Sequence, residues 1–161
     1  MRQAPPKTAT KVRRRLDLDV SYASRRPWVP SARLLIRWAT AALPSAKPFV
    51  LSVRIVGRAR SRSLNAHYRH KDRSTNVLSF AGAGAAPDGR FFLGELVICA
   101  PVVAQEARVQ DKALAAHWAH MTVHGVLHLL GFDHERASEA RKMAAREIQI
   151  LDRIGFSDPY H

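Results

Sequence analysis

Five of the chain's eight histidines, His117, His120, His124, His128 and His134, lie within 18 residues of one another. The first four are spaced three, four and four apart, which lays them in one stripe down a helix face. A lone histidine on such a face is ordinarily a hydrogen-bonded or half-buried side chain, so the residues after the stripe carry the argument for a metal. Three imidazole nitrogens bound at about 2.1 Å lie within roughly 4 Å of one another. Along a helix, however, His120 and His128 stand about 12 Å apart. Neighbours four apart can share an ion, and the third ligand must come from chain that has turned back. The segment His128-Leu-Leu-Gly131-Phe-Asp-His134 supplies that turn, because Gly131 adopts at little cost the positive φ that ends a helix. His124, His128 and His134 are therefore the candidate metal ligands.

Three neutral imidazoles without a thiolate suit one zinc ion best, with nickel, copper and iron behind it. Three protein ligands leave a fourth position for water, as in catalytic rather than closed structural sites, and water held there can have a pKa near 7. Asp133 is either an acceptor for a ligand imidazole or a solvated turn residue. His117 and His120, two turns and one turn before the ligands, have either flanking or structural roles. The spacing His-x-x-x-His-x-x-Gly-x-x-His coincides with that of the metzincin metalloproteases, where a glutamate after the first histidine is the general base. Here that position is Gly125, which accepts no proton, and peptide hydrolysis stays only as an alternative.

Regular elements must hold these groups. Residues 16–20, Leu-Asp-Leu-Asp-Val, alternate as a half-buried strand does. Ser31 caps a helix to about Leu43, with Leu34, Leu35, Trp38, Ala41 and Ala42 at helical spacing and Pro44 and Pro48 behind it. Residues 49–56 read as a second strand. A short helix is expected over 58–68, then strands over 77–80 and 92–99 separated by a Gly, Ala and Pro stretch, 81–89, that reads as an exposed loop. Pro101 suits the first turn of a helix to about Gln110. Residues 113–130 form the long helix that carries the histidines. Residues 135–154 form the last helix, with Met143, Glu147, Ile150, Leu151 and Ile154 on one stripe and Gly155 as its stop. Four strands and about five helices in mixed order predict a layered domain of α/β or, as favoured here, α+β class. It is one small domain over residues 16–161, with the metal site at the end of a long helix.

The chain carries 26 Lys and Arg against 13 Asp and Glu, a net charge of +13, and such an excess makes a polyanion the leading partner class. Eight of the basic residues lie in the first 26 positions, and residues 1–15, with Pro5, Pro6 and no carboxylate, read as a disordered basic arm. The single cysteine, Cys99, excludes an intrachain disulfide and a thiolate-rich zinc cage and favours a reducing, cytoplasmic setting. In its apolar strand it reads as a buried, inert thiol. No stretch approaches the roughly 18 apolar residues of a membrane span, and no apolar core follows the first positive charges as in a secretory signal. An organellar transit peptide is the alternative reading of the arm.

On these residues the chain resembles the YbeY family of bacterial metal-dependent endoribonucleases. His124-Gly-Val-Leu-His128-Leu-Leu-Gly-Phe-Asp-His134 looks like the family's zinc motif. Leu64-Asn-Ala-His-Tyr-Arg69-His-Lys-Asp72-Arg-Ser-Thr75-Asn76-Val77-Leu-Ser-Phe80 is similar to its second signature. Gly94-Glu95-Leu-Val-Ile-Cys99 and Asp158-Pro159-Tyr160 also fit, so the likeness covers about residues 16–160. It implies a small sheet with helices around it, a cleft holding the metal, zinc on His124, His128 and His134, and a functional arginine at Arg69. It also implies single-strand-specific cleavage in ribosomal RNA processing, at the 16S 3′ end, and a part in ribosome quality control. The partners would be RNA and the ribosome or small-subunit assembly intermediates. The basic arm departs from the family pattern, and residues 135–142 look more basic than is usual there.

Arg69 also suits the chemistry: a guanidinium holds a phosphate through two parallel hydrogen bonds and stabilises charge developing on its oxygens. The bland reading is a surface arginine beside Asp72. Seven basic residues between Arg54 and Arg73, against the one acid Asp72, make a candidate track for an RNA backbone, with Arg62, Lys71 and Arg73 as RNA-binding candidates. Tyr68 and Phe80 can stack on bases but read first as core. The rival from another class is a non-catalytic ribosome assembly factor with a structural metal.

Overall fold

The acids of the opening alternation face solvent and its apolar residues face inward, as a half-buried strand requires. The computed structural model describes residues 16–44 and 47–161; the arm expected over residues 1–15 lies outside them. In chain order the elements are β1 (Leu16–Tyr22), α1 (Ala32–Ala42), β2 (Phe49–Val56), α2 (Arg58–Arg69), β3 (Val77–Ala85), β4 (Phe91–Cys99), α3 (Ala100–Val109), α4 (Leu114–Leu129) and α5 (Ala137–Arg153). The strands form one mixed sheet in the order β1-β2-β4-β3, with β1, β2 and β4 parallel and β3 antiparallel to β4. Strands and helices thus make the single small α+β domain expected. Ser31 caps α1 as predicted, its Oγ accepting from the Leu34 amide at 3.3 Å.

The two faces of the sheet are treated unequally. Leu51, Val53, Ile55, Leu96 and Ile98 pack with α1, α4 and α5 in the main core, whose largest fully buried side chain is Trp118. On the opposite face Val56, Leu78, Val97 and Cys99 form a smaller cluster with Leu64 and Val102 of α2 and α3. These two helices cover only one end of that face, and Val50, Ser52, Arg54 and Glu95 beyond them stay half-buried. Cys99 is fully buried, and burial pushes its thiol pKa up, so it is inert as expected.

Helix α4 is apolar nearly all round, as a central helix must be. At Gly125 it lies so near the sheet that a Cβ there would stand 2.8 Å from Leu96 Cδ2. The position that holds a glutamate in metzincins therefore faces packed sheet in this chain. The helix ends in a Schellman turn: the Phe132 amide donates to the Leu127 carbonyl and the Gly131 amide to that of His128, both at 3.0 Å, with Gly131 at φ 98°.

Two expectations are corrected. Residues 81–89 are not simply a loop, since β3 runs on to Ala85 and pairs with β4 as far as Phe91 through an irregularity between Ala81 and Gly84. The run Ala81-Gly-Ala-Gly84 has no alternating side chains to announce a strand, and backbone hydrogen bonding alone carries it on. Tyr68, read as core, is 56% exposed, because the small residues of β3 and the uncovered end of the sheet leave nothing to bury it. Phe80 is half-buried beneath it.

The β3–β4 irregularity depends on Gly94, which sits at φ 141° and where a Cβ would stand 2.1 Å from the Phe80 carbonyl oxygen. Backbone cannot yield as a side-chain tip does. Gly94→Ala is expected to cost at least about 2 kcal/mol of stability, seen as a lower urea midpoint. Gly57→Ala, where nothing lies within 4 Å, should shift the midpoint little.

Candidate metal centre

The last two turns of α4 and the Gly131 reversal bring the three predicted ligands together. His124 Nε2 and His128 Nε2 are 3.1 Å apart, and His134 Nδ1 is 3.0 Å from His128 Nε2. Tetrahedral coordination with bonds near 2.1 Å puts donor nitrogens roughly 3.4 Å apart, so this set fits a single ion with little adjustment. Burial, and then the neighbouring His124 and His134, hold the pKa of His128 below its ordinary value and favour the neutral, ligating form. Its ring also donates to the backbone of Phe132. Asp133 takes the turn role: its Oδ1 accepts from the amides of His134 at 2.7 Å and Glu135 at 3.3 Å.

Beneath the ligands lies a carboxylate that reading the sequence placed only on an apolar stripe. Glu147 of α5 is fully buried. Its Oε1 accepts from His124 Nδ1, and its Oε2 accepts from His120 Nε2 at 2.9 Å and from the Tyr160 hydroxyl. Burial works to raise its pKa, yet the hydrogen bonds from His120, His124 and Tyr160 bring it to about 2. The carboxylate is ionised, and His124 therefore carries its proton on Nδ1 and turns the Nε2 lone pair toward His128 and His134. That is the orientation a metal requires. His120, His124 and Glu147 also lie close enough to hold an ion, but their facing atoms are spent on one another. The roles left open for His117 and His120 are thereby decided as supporting ones. His120 steadies Glu147, and His117 Nε2 bonds Glu106 at 2.8 Å, which also accepts from Asn76 Nδ2 at 3.1 Å. The available signal for Glu147 was an acid at a core position, which calls for a buried partner.

The ligands open into a cleft of about 560 Å³ whose other wall carries Arg69, Lys71 and Arg73. No carboxylate lines it among the described residues. His70 at φ 58° turns the chain after α2, and the buried Ser61 and Asn65 pin the loop that follows. Ser61 Oγ donates to the Thr75 carbonyl at 3.0 Å and Asn65 Nδ2 to that of Arg73 at 2.8 Å. Arg69 Nη2 donates to the Ser79 carbonyl at 3.1 Å, which aims the guanidinium along β3. Asp72, the neighbour that would have made Arg69 an ordinary surface ion pair, is held instead by Arg62 through bonds of 2.7 and 2.9 Å. Arg62 is outside the cleft lining, whereas Arg69, Lys71 and Arg73 share it with the histidines.

Since Glu147 sets the tautomer and angle of a ligand, Glu147→Gln is expected to lower zinc affinity about 10- to 100-fold in competition with a chromogenic chelator. Asp133→Asn, which alters only the turn, should leave affinity within about threefold.

Comparison with known proteins agrees with this geometry. The sequence profile of the family described as Endoribonuclease YbeY matches residues 24–155. Endoribonuclease YbeY of Stenotrophomonas maltophilia (strain K279a) is 52% identical over 151 residues, covering 91% of this chain and 94% of the relative. The protein of that name from Xanthomonas axonopodis pv. citri (strain 306) is 51% identical over 153 residues, with the same coverage. The solution structure of TM1509 from Thermotoga maritima superposes with a TM-score of 0.52 at 20% identity, covering 90% of this chain and 99% of that one, a likeness of fold. With the signatures, the three-histidine cleft and relatives matched over nearly their whole length, the chain belongs to the endoribonuclease YbeY family.

Proposed function

We propose that this member of an endoribonuclease family is a zinc-dependent enzyme that cuts single-stranded RNA in ribosomal RNA processing, at the 16S 3′ end, and serves ribosome quality control in the cytoplasm. One observation supports it most directly: three convergent imidazole nitrogens open into a cleft whose charged wall is wholly cationic among the described residues. An RNA backbone is drawn to such a wall, and an acidic wall would repel it. The choice of zinc rests on the neutral, thiolate-free donor set. The ribosomal substrate, and small-subunit assembly intermediates as partners, rest on the family likeness. The cytoplasmic setting rests on the single cysteine, which is buried and unpaired in a disulfide.

When bound, a zinc ion supplies Lewis acidity to a phosphate oxygen or an attacking hydroxyl. The chain's own residues do the rest. His124, His128 and His134 hold the ion, and Glu147 keeps His124 in register with it. Arg69 reaches the scissile phosphate from the opposite wall and takes up negative charge as the bond breaks. Lys71 and Arg73 hold neighbouring phosphates. Arg62 contributes to the approach of RNA from outside the cleft.

His128→Ala is expected to fold with an unchanged circular dichroism spectrum and to lose cleavage by more than about a thousandfold. Cleavage that survives in this variant would mean that the metal is not catalytic, and wild-type protein with stoichiometric zinc that never cleaves its cognate RNA would favour the assembly-factor reading. Arg69→Ala should lower kcat/KM about a hundredfold, and Arg69→Lys, with charge but no fork, should recover only part of the loss. The product ends identify the nucleophile: a 2′,3′-cyclic phosphate reports the RNA's own 2′-hydroxyl, and a 5′-phosphate with a free 3′-hydroxyl reports water.

A further inference from the structure

The end of the sheet that α2 and α3 leave uncovered forms a second groove of about 520 Å³. Its floor is the β2 and β4 surface around Val50, Ser52, Arg54 and Glu95, and Tyr68 and Phe80 line its side. Ala81 belongs to the lining of both this groove and the metal cleft, and Tyr68 directly precedes Arg69 on α2. The groove therefore begins where the cleft ends. Tyr68 is oriented there rather than loose: Phe80 meets its ring edge-on at a centroid distance of 5.0 Å and His67 does so at 4.5 Å. More than half of the Tyr68 surface is nevertheless open to solvent.

We propose that this groove is a nucleobase subsite of the same enzyme. The base of a nucleotide adjoining the phosphate at Arg69 stacks on Tyr68, and the Arg54–Glu95 pair, bonded at 2.9 Å on the floor, faces the edge of that base with donors and an acceptor. The inference rests on the endoribonuclease reading above. Single-stranded RNA alternates an anionic phosphate with a flat apolar base, and the protein presents the complement in the same order, the cation Arg69 beside the ring of Tyr68. At the far side Arg90, bonded to Asp88 at 2.8 Å, lies over the Phe92 ring at 5.1 Å, so that end of the groove carries an ion pair and not a free cation. The side-chain-poor run at Ala81, Gly82 and Ala83 keeps the mouth of the groove open. A base paired in a duplex cannot enter, so the subsite also gives single-strand selectivity a physical cause.

The test uses full-length protein and RNA oligonucleotides with one abasic site at each of the three nucleotides on either side of the cut. One abasic position is expected to lower kcat/KM about tenfold for the wild type. Tyr68→Ala should impose a similar loss on intact RNA and no further loss on that abasic RNA, and Tyr68→Phe should restore the wild-type value. Placed at that position, 2-aminopurine should be quenched on binding to wild-type protein and not to Tyr68→Ala. Losses that multiply, or abasic sites that change nothing, overturn the subsite. So does a Tyr68→Ala defect confined to ribosome association, which would assign the groove to a protein partner. Failure of wild-type protein to cut any oligonucleotide would count against the enzymatic reading instead, and the 2-aminopurine titration would still decide the groove.

Discussion

A carboxylate withdrawn from water as completely as that of Glu147 destabilises a fold unless donors meet its charge. Here the donors are His120 and His124 of α4 and Tyr160 beyond the end of α5. Satisfying one buried charge thus joins α4, α5 and the C-terminal residues at the level of the metal ligands. It also removes the freedom of His124 to tautomerise or rotate, and that freedom would otherwise have to be frozen when an ion binds. Burial, and then the bond to Glu147, raise the pKa of the Tyr160 phenol, so the hydroxyl keeps the proton it gives to the bond.

Helix α4 serves the core and the cleft along one stripe. His117, against Glu106 of α3, and His120, against Glu147 of α5, are buried, while His124 and His128 stand half-buried at the rim of the cleft. Four histidines at similar spacing therefore divide into two that brace acids and two that face the cleft. The close approach also explains why glycine occupies position 125: a glutamate there would have to place its charge against Leu96 and Val77. The helix is thus shaped for packing where a metzincin is shaped for proton transfer.

Strand β3 separates the two concavities. On one side its residues from Val77 to Ser79 help line the metal cleft, and on the other Phe80 and the small residues after it border the aromatic groove. The wall that carries the cations has no acid in its lining among the described residues, and Asp72, the acid nearest them in sequence, is paired with Arg62. An exposed pair of this kind adds little stability. Its effect is on the field, since it places a carboxylate with an arginine that is not Arg69.

Much of this was legible in the residues alone. Local signals bound the helices close to where they were expected: Ser31 starts α1 through its side-chain cap, and Pro44, Gly131 and Gly155 stop helices through backbone geometry. The candidate triad could be read because helical rise and the reach of a metal bond exclude three histidines of the stripe as one set, so that a third donor must come from beyond Gly131. Long-range pairing was not legible. Nothing near Glu147 in the chain announces that His120 and His124, 27 and 23 residues away, will meet it, or that Asp72 will take Arg62 and leave Arg69 to the cleft. The strand after Phe80 is unannounced because glycine and alanine carry no alternation, and Tyr68 has the spacing of a core residue although nothing in the fold covers it. Periodicity, turn chemistry and charge are local, so most of the elements, the candidate histidine triad and the excess of positive charge follow from neighbours along the chain. Which charges neutralise one another and which aromatic stays exposed follow from the fold, because both depend on what distant segments bring to the same place.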